Sequence, residues 1–288
     1  MHKSILITLV VLISLFAVNV AFANKQDPSG NTFSVQVGKI KLCLLSEGTS
    51  TVENKITVNA SKDDLAEYLP NGKFNSAINA FLLITPNKKI LIDTGFGREL
   101  FKNLEHFGVK PEEIDIVLLT HMHGDHISGL LRDGKIAFPN ADIYVAQKEI
   151  NYWQGKDAAD KLKPYGDKVK TFEPLELEQG GLKLMPGISA IAAYGHTPGH
   201  TMFMVESGKQ KALLWGDIVH VTPVQIPVPD VFVVYDVDSD EAVKTRKKIL
   251  AYLAGKDIIV AAAHIESPGM GKIIKDELTG KYEFIFQK

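Results

Sequence analysis

Five apolar runs in this chain each stop at a histidine or an aspartate. Asp93 follows Ile90-Leu91-Ile92, and the segment His121-Met122-His123-Gly124-Asp125-His126 follows Val117-Leu118-Leu119. His196 and His200 follow Ala190-Ile191-Ala192-Ala193, Asp217 follows Leu213-Leu214-Trp215-Gly216, and His264 follows Val260-Ala261-Ala262-Ala263. Short apolar runs bounded by polar residues read as buried strands. Strand ends on one edge of a sheet converge, and open α/β folds place their ligand sites there. The chain must therefore fold so that five loops meet.

What those loops carry suits a divalent metal. Neutral imidazole and carboxylate are the ligands of Zn2+ and its neighbours, and a catalytic site leaves one position for water. Residues two apart in an extended segment point the same way, so His121 and His123 can grip one ion together. Asp125 and His126, past Gly124, can turn toward a second. Two ions about 3.5–4 Å apart need a bridging anion, for which the Asp217 carboxylate is suited. His106, on the polar side of a helix, reads as plain surface.

The periodicity sketches the rest. Residues 33–45 alternate and read as one strand, with 51–58 as its hairpin partner. Ser61 caps a short helix. Residues 80–85 and 89–93 form a hairpin around Pro86-Asn87-Lys88, and residues 98–107 form an amphipathic helix closed by Gly108. A helix leaves the histidine-rich loop from about Ile127, and another covers 240–253. Strands and helices alternate without a linker, which predicts one α/β domain over 24–288, built of two packed sheets with helices on their outer faces.

Residues 221–235 are harder to place. Pro223, Pro227 and Pro229 forbid a central strand or a helix interior there, yet the stretch is too apolar for a solvated loop. An extended wall over the site is expected, with Ile226, Val228 or Phe232 turned to the substrate. Capping the core and burial between two subunits are the competing readings, so a homodimer stays open.

At the N-terminus, Lys3 precedes an apolar run from Ile5 to Phe22, and Ala21-Phe22-Ala23 has the form of a cleavage site. Residues 1–23 read as a signal peptide, which predicts a periplasmic or secreted protein; left uncleaved, the run is long enough to anchor it in a membrane. The net charge of −2 gives no electrostatic reason to expect nucleic acid as a partner. A small-molecule substrate is expected instead, with no stable membrane association after cleavage. Cys43 is the one cysteine, so no internal disulfide is available, and it reads as a small buried hydrophobe.

Taken in order, His-x-His-x-Asp-His, a later Gly-His, a Gly-Asp and a final His resemble the metallo-β-lactamase superfamily of hydrolases, from about Asn79 to His264. The resemblance implies an αββα four-layer sandwich and two divalent metal ions per chain, with Zn2+ expected. Carried over, one ion takes His121, His123 and His200, the other takes Asp125, His126 and His264, and Asp217 bridges them. Asp93 matches an aspartate that supports the cluster from behind, and His196 is left as a supporting residue of its loop. The implied reaction is attack of a metal-bridging hydroxide on an ester, lactone or phosphotriester, with Asp125 taking part in proton transfer. Family members with a cysteine ligand carry it where this chain has Asp217, which speaks against β-lactam hydrolysis of that type; it stays as an alternative, beside a non-catalytic metal-binding role. Related lactonases place a tyrosine three residues after the bridging aspartate. Here that position is His220, expected on the substrate side of the site and not as a ligand. The stretch 214–220, with His-Thr-Pro-Gly-His-Thr before it, is most similar to the exported methyl parathion hydrolase group and its lactone-cleaving relatives.

Overall fold

Two seven-stranded sheets make up the middle of the molecule. The computed structural model describes residues 30–288, so the signal peptide expected over 1–23 lies outside the described residues. Along the first sheet lie β1 (Thr32–Val37), β2 (Ile40–Glu53), β3 (Lys73–Ile84), β4 (Lys89–Ile92) and β5 (Ile116–Leu118). A small hairpin of β6 (Leu131–Arg132) and β7 (Lys135–Ile136) follows, and β8 (Asp142–Ala146) and β9 (Val169–Phe172) complete that sheet. The second sheet runs in chain order through β10 (Leu182–Met185), β11 (Ile188–Ala192), β12 (Thr201–Ser207), β13 (Gln210–Leu214), β14 (Ile258–Ala261), β15 (Met270–Lys275) and β16 (Tyr282–Phe286). The helices are α1 (Lys62–Tyr68), α2 (Leu100–His106), α3 (Gly124–Ile127), α4 (Gln147–Trp153), α5 (Asp157–Asp160), α6 (Thr222–Gln225) and α7 (Ser239–Leu253).

Strand alternation produces the layers. Leu42, Leu44, Ile90 and Ile92 of the first sheet meet Ala190, Phe203, Val205, Ala212 and Leu214 of the second in the core between the sheets. The neighbouring side chains Cys43, Leu45 and Leu91 point the other way, onto Leu100 and Leu104 of α2 and onto residues 150 and 153 of α4. On the far side Leu213 and Val260 pack beneath Ile249, Leu250 and Leu253 of α7. This is the expected αββα sandwich. Strands buried on both faces are what continuous apolar runs such as Ile90-Leu91-Ile92 require.

The structure corrects three local expectations. Residues 33–45 form a hairpin: Gly38, at φ 58°, opens a two-residue turn that a side chain would strain. Its second arm runs on to Glu53, so Thr51 lies within β2 and pairs with Asn75 of β3. The helix at the histidine-rich loop starts at Gly124, inside the motif, with His123 at its N-cap position. The segment 221–235 opens with α6, whose first turn accepts Pro223 because the missing N–H has no partner to lose there. Among the described residues no helix is long and apolar enough to cross a membrane.

Candidate metal centre

The five strand ends do meet. Asp93 follows β4, the 121–126 motif follows β5, His196 follows β11, Asp217 follows β13 and His264 follows β14. The first group of converging ligand atoms is His121, His123, His196 and Asp217; the second is Asp125, His126 and His264. In the first, His121 Nε2 lies 2.9 Å from His123 Nδ1, which lies 3.0 Å from His196 Nε2. Asp217 Oδ2 is 3.2 Å from His196 Nε2 and 3.6 Å from His121 Nε2. In the second, Asp125 Oδ2 is 3.7 Å from both His126 Nε2 and His264 Nε2. Asp217 stands between them: Oδ1 is 3.1 Å from His126 Nε2 and Oδ2 is 3.1 Å from His264 Nε2.

Such spacings fit metal coordination. Donors roughly 2 Å from a shared tetrahedral ion lie about 3–3.5 Å from one another. Among the described residues His126 Nε2 and Asp217 Oδ1 are buried without a hydrogen-bond partner even though they face each other. Orphaned polar atoms of that kind, pointing at one spot, are what a cation satisfies.

Support behind the ligands fixes which ring nitrogen faces inward. Asp93 Oδ2 lies 2.8 Å from His126 Nδ1, while its Oδ1 accepts the Thr120 N–H and its Oδ2 the Thr120 hydroxyl. Asp93 does so from φ 59°, a left-handed conformation that aspartate tolerates better than bulkier side chains. His264 Nδ1 lies 2.9 Å from the Ala77 carbonyl of β3. Asp236 Oδ1 lies 3.0 Å from His196 Nδ1, a role the sequence reading missed. Behind Asp236 stands the buried Arg246 of α7, with NH2 3.6 Å away and Nε donating to the Ile218 carbonyl at 2.7 Å.

The histidine assignments of that loop are reversed from expectation. His200 is turned away from the ligand groups: its Nε2 accepts the Asp217 N–H at 2.9 Å and its Nδ1 lies 2.9 Å from the Ala193 carbonyl. Gly216 keeps this approach open, since a Cβ there would sit 2.5 Å from His200 Nε2. With both ring nitrogens engaged, His200 stands outside the converging ligand atoms, and His196 stands among them. His220, expected on the substrate side, lies directly against the bridging carboxylate. It is buried, with Nε2 3.1 Å from Asp217 Oδ2 and its ring stacked on His264 at 4.8 Å, while Nδ1 has no partner. His220 thus joins Asp217 and His264 in a third close group. Ile226 is 2% exposed, among Val219, Ile249 and Leu250, so it belongs to the core and offers no surface to a substrate. Phe232 is half-buried with its backbone pinned to Val58 and Asn59; Tyr235, three residues on, is the aromatic that reaches the cluster, 6.0 Å from the His220 ring.

Charge is shared unevenly. Burial, with the neighbouring His126, holds His121 well below the usual imidazole range, and burial with His196 brings His123 down to about 4. Burial also disfavours the charged form of His126, but Asp217, Asp125 and Asp93 outweigh it and hold that ring well above 6.5. His196 is likewise raised against its burial, to about 9, by Asp217 and Asp236. Asp217 resists its own burial because His126, His264 and His121 keep it well below the carboxylate range.

The chain is similar to known proteins in sequence and in fold. The model of the metallo-beta-lactamase superfamily matches residues 75–264, which contain every ligand named above. The exodeoxyribonuclease WalJ of Streptococcus pneumoniae serotype 2 (strain D39 / NCTC 7466) is 32% identical over 112 residues, covering 37% of this chain and 42% of its own length. An N-acyl homoserine lactonase of Bacillus cereus is 24% identical over 171 residues, covering 50% of this chain and 64% of the lactonase. This chain thus spans about half the length of the curated relatives it matches. Among solved structures, the hydrolase AbOPH superposes with a TM-score of 0.81 at 28% identity, over 90% of this chain and 99% of that one. AidC, a dizinc quorum-quenching lactonase, gives 0.80 at 26% identity, over 90% and 98%. A match over 75–264 that holds the ligand motifs in order, on the αββα frame that brings them together, makes this chain a member of the metallo-beta-lactamase superfamily.

Proposed function

We propose that this chain is a dinuclear metal hydrolase of a small ester or lactone that carries an apolar group. The observation that carries the reading is Asp217, placed between a three-histidine set and an Asp125-His126-His264 set. The resemblance to a dizinc lactonase over 90% of the chain supports it. Two divalent ions, with Zn2+ the expected choice, would supply an acidified water and a positive charge facing the electrophilic oxygen. The chain's own residues do the rest. His121, His123 and His196 would hold one ion and Asp125, His126 and His264 the other, with the Asp217 carboxylate within reach of both sets. Asp125, kept anionic against its burial by His126 and His264, takes up a proton during turnover.

An apolar substrate group is favoured by the aromatics around the cluster. Trp153 packs edge-on against the His123 ring at 5.3 Å, and Phe96 stands over Gly124. Tyr235 is 51% exposed beside His220, next to Val234 at 57%. These side chains come from three different elements and leave apolar surface near a polar centre.

Phosphodiester cleavage is the second reading, favoured by the nuclease match over 112 residues. One panel separates them: acyl-homoserine lactones, aryl esters, aryl phosphotriesters, a carbapenem and single-stranded DNA, offered to zinc- and cobalt-loaded protein. Turnover of lactones or esters, abolished by a chelator and restored by metal, is expected. Cleavage of DNA alone would replace this reading, and two retained ions without any turnover would make the chain a binder. Export through residues 1–23 is part of the proposal, and N-terminal sequencing of protein from a periplasmic fraction tests it, with Asn24 as the expected first residue.

A further inference from the structure

Helix α4 contributes no ligand, yet its Glu149 is fully buried beside the centre. The carboxylate receives four donors. Oε1 accepts the Gly199 N–H at 2.9 Å and the Thr197 hydroxyl; Oε2 accepts the Met122 N–H at 3.1 Å and Trp153 Nε1–H at 2.8 Å. Met122 lies between His121 and His123, and Thr197 follows His196 directly. One side chain therefore ties together the two loops that supply the three-histidine set. The contact is tight at the backbone too, because a Cβ on Gly199 would sit 2.5 Å from the Glu149 nitrogen. Trp153, whose ring packs on His123, is fixed through the same oxygen.

The other ligand set is held by different groups. His126 leans on Asp93 and His264 on the Ala77 carbonyl, and Glu149 bonds neither. We propose that Glu149 is a positioning residue that sets the geometry of His121, His123 and His196, and so governs one of the two metal positions and spares the other. This rests on the dinuclear reading of the site.

The chemistry of the carboxylate makes the test specific. Two oxygens with two donors each leave no room for a donor in their place. Glu149→Gln keeps the shape but turns an NH2 group toward one pair of donors, so half of the tie is lost. Zinc affinities are measured by competition with a chromophoric chelator, and the d–d absorption of the cobalt-loaded protein is recorded alongside. In Glu149→Gln one ion should bind at least about tenfold more weakly while the other keeps its affinity, the size expected when support behind a ligand is lost. The cobalt bands should change for that one ion. Thr197→Val, which removes a single donor at nearly constant volume, should give the same one-sided loss at smaller size, and serves if Glu149→Gln does not fold. Unchanged affinity for both ions in either variant, or equal weakening of both, would overturn the proposal. Failure of the dinuclear reading shows separately, as wild-type protein that takes up no pair of ions.

Discussion

His196 Nδ1 and Asp236 Oδ1 are 3.0 Å apart, and that bond leaves Nε2 of the ring as the atom presented to the cluster. Asp236 Oδ2 also accepts the Val233 N–H at 3.2 Å, so both carboxylate oxygens are committed. Asp236→Asn would turn a donor toward one of these donors. Zinc affinity at that position should fall by about 10- to 100-fold. Chelator competition at constant ionic strength measures it, and equal affinity in the variant would leave Asp236 a purely structural partner of Arg246.

His196 and His200 should separate cleanly on substitution. His196→Ala is expected to lower metal content from two equivalents toward one and to remove most activity, as read by elemental analysis of protein purified without chelator. His200→Ala should keep both ions and instead lose stability, by about 1–3 kcal/mol for each buried group left unpaired. Those groups are the Asp217 N–H and the Ala193 carbonyl. Retention of both ions in His196→Ala would restore His200 as the ligand.

Metal uptake should release protons. His126, His196 and His264 are raised against their burial by nearby carboxylates, and His126, held well above 6.5, and His196, at about 9, carry protons at pH 7 in the metal-free protein. Ligands must be deprotonated, so zinc affinity should climb between about pH 6.5 and 9. Stability of the metal-free protein should move the opposite way. For His196 the folded value of about 9 exceeds the unfolded one, so its contribution is complete below about 6.5 and is lost as pH rises through 9. Calorimetry in two buffers of different ionisation enthalpy measures the first effect and denaturant titration across pH the second. Metal binding without proton release would refute the charge distribution described here.

Tyr235→Ala should raise KM for substrates with long apolar groups more than for short ones, while metal content and melting temperature stay near wild type. Tyr235 is half-exposed and packs on His220 without holding a ligand, which is why a selective effect is expected. Ile226→Ala should do the reverse. Ile226 is a core side chain, so a loss of about 2–5 kcal/mol without a change of substrate preference is expected from thermal or denaturant melts.

Much of this site was readable from strand chemistry alone. An apolar run closed by a polar residue marks a strand end, and Asp93, Asp217 and His264 emerged that way because both faces of β4, β13 and β14 are covered. The pair in His196-Thr-Pro-Gly-His200 could not be resolved from spacing. What separates the two rings in the structure is a long-range bond, from the Asp217 N–H to His200 Nε2. Glu149 and Asp236 were invisible for the same reason: an acidic residue in a helix or loop reads as solvated until the fold surrounds it with donors. Over 221–235 the prolines were weighed as breakers, whereas Pro223 occupies the one turn of a helix that tolerates it and delivers Ile226 inward.

The two ligand sets have one more property in common. Each draws on both sheets: His121, His123, Asp125 and His126 leave the first, while His196, Asp217 and His264 leave the second. Two bound ions would be rivets across the seam between the sheets, in a chain whose one cysteine rules out an internal disulfide. An ion present at a thousand times its dissociation constant stabilises the folded state by about 4 kcal/mol, comparable to a cross-link. The supply of metal around such a protein would then decide how long its two halves hold together, as well as whether it works.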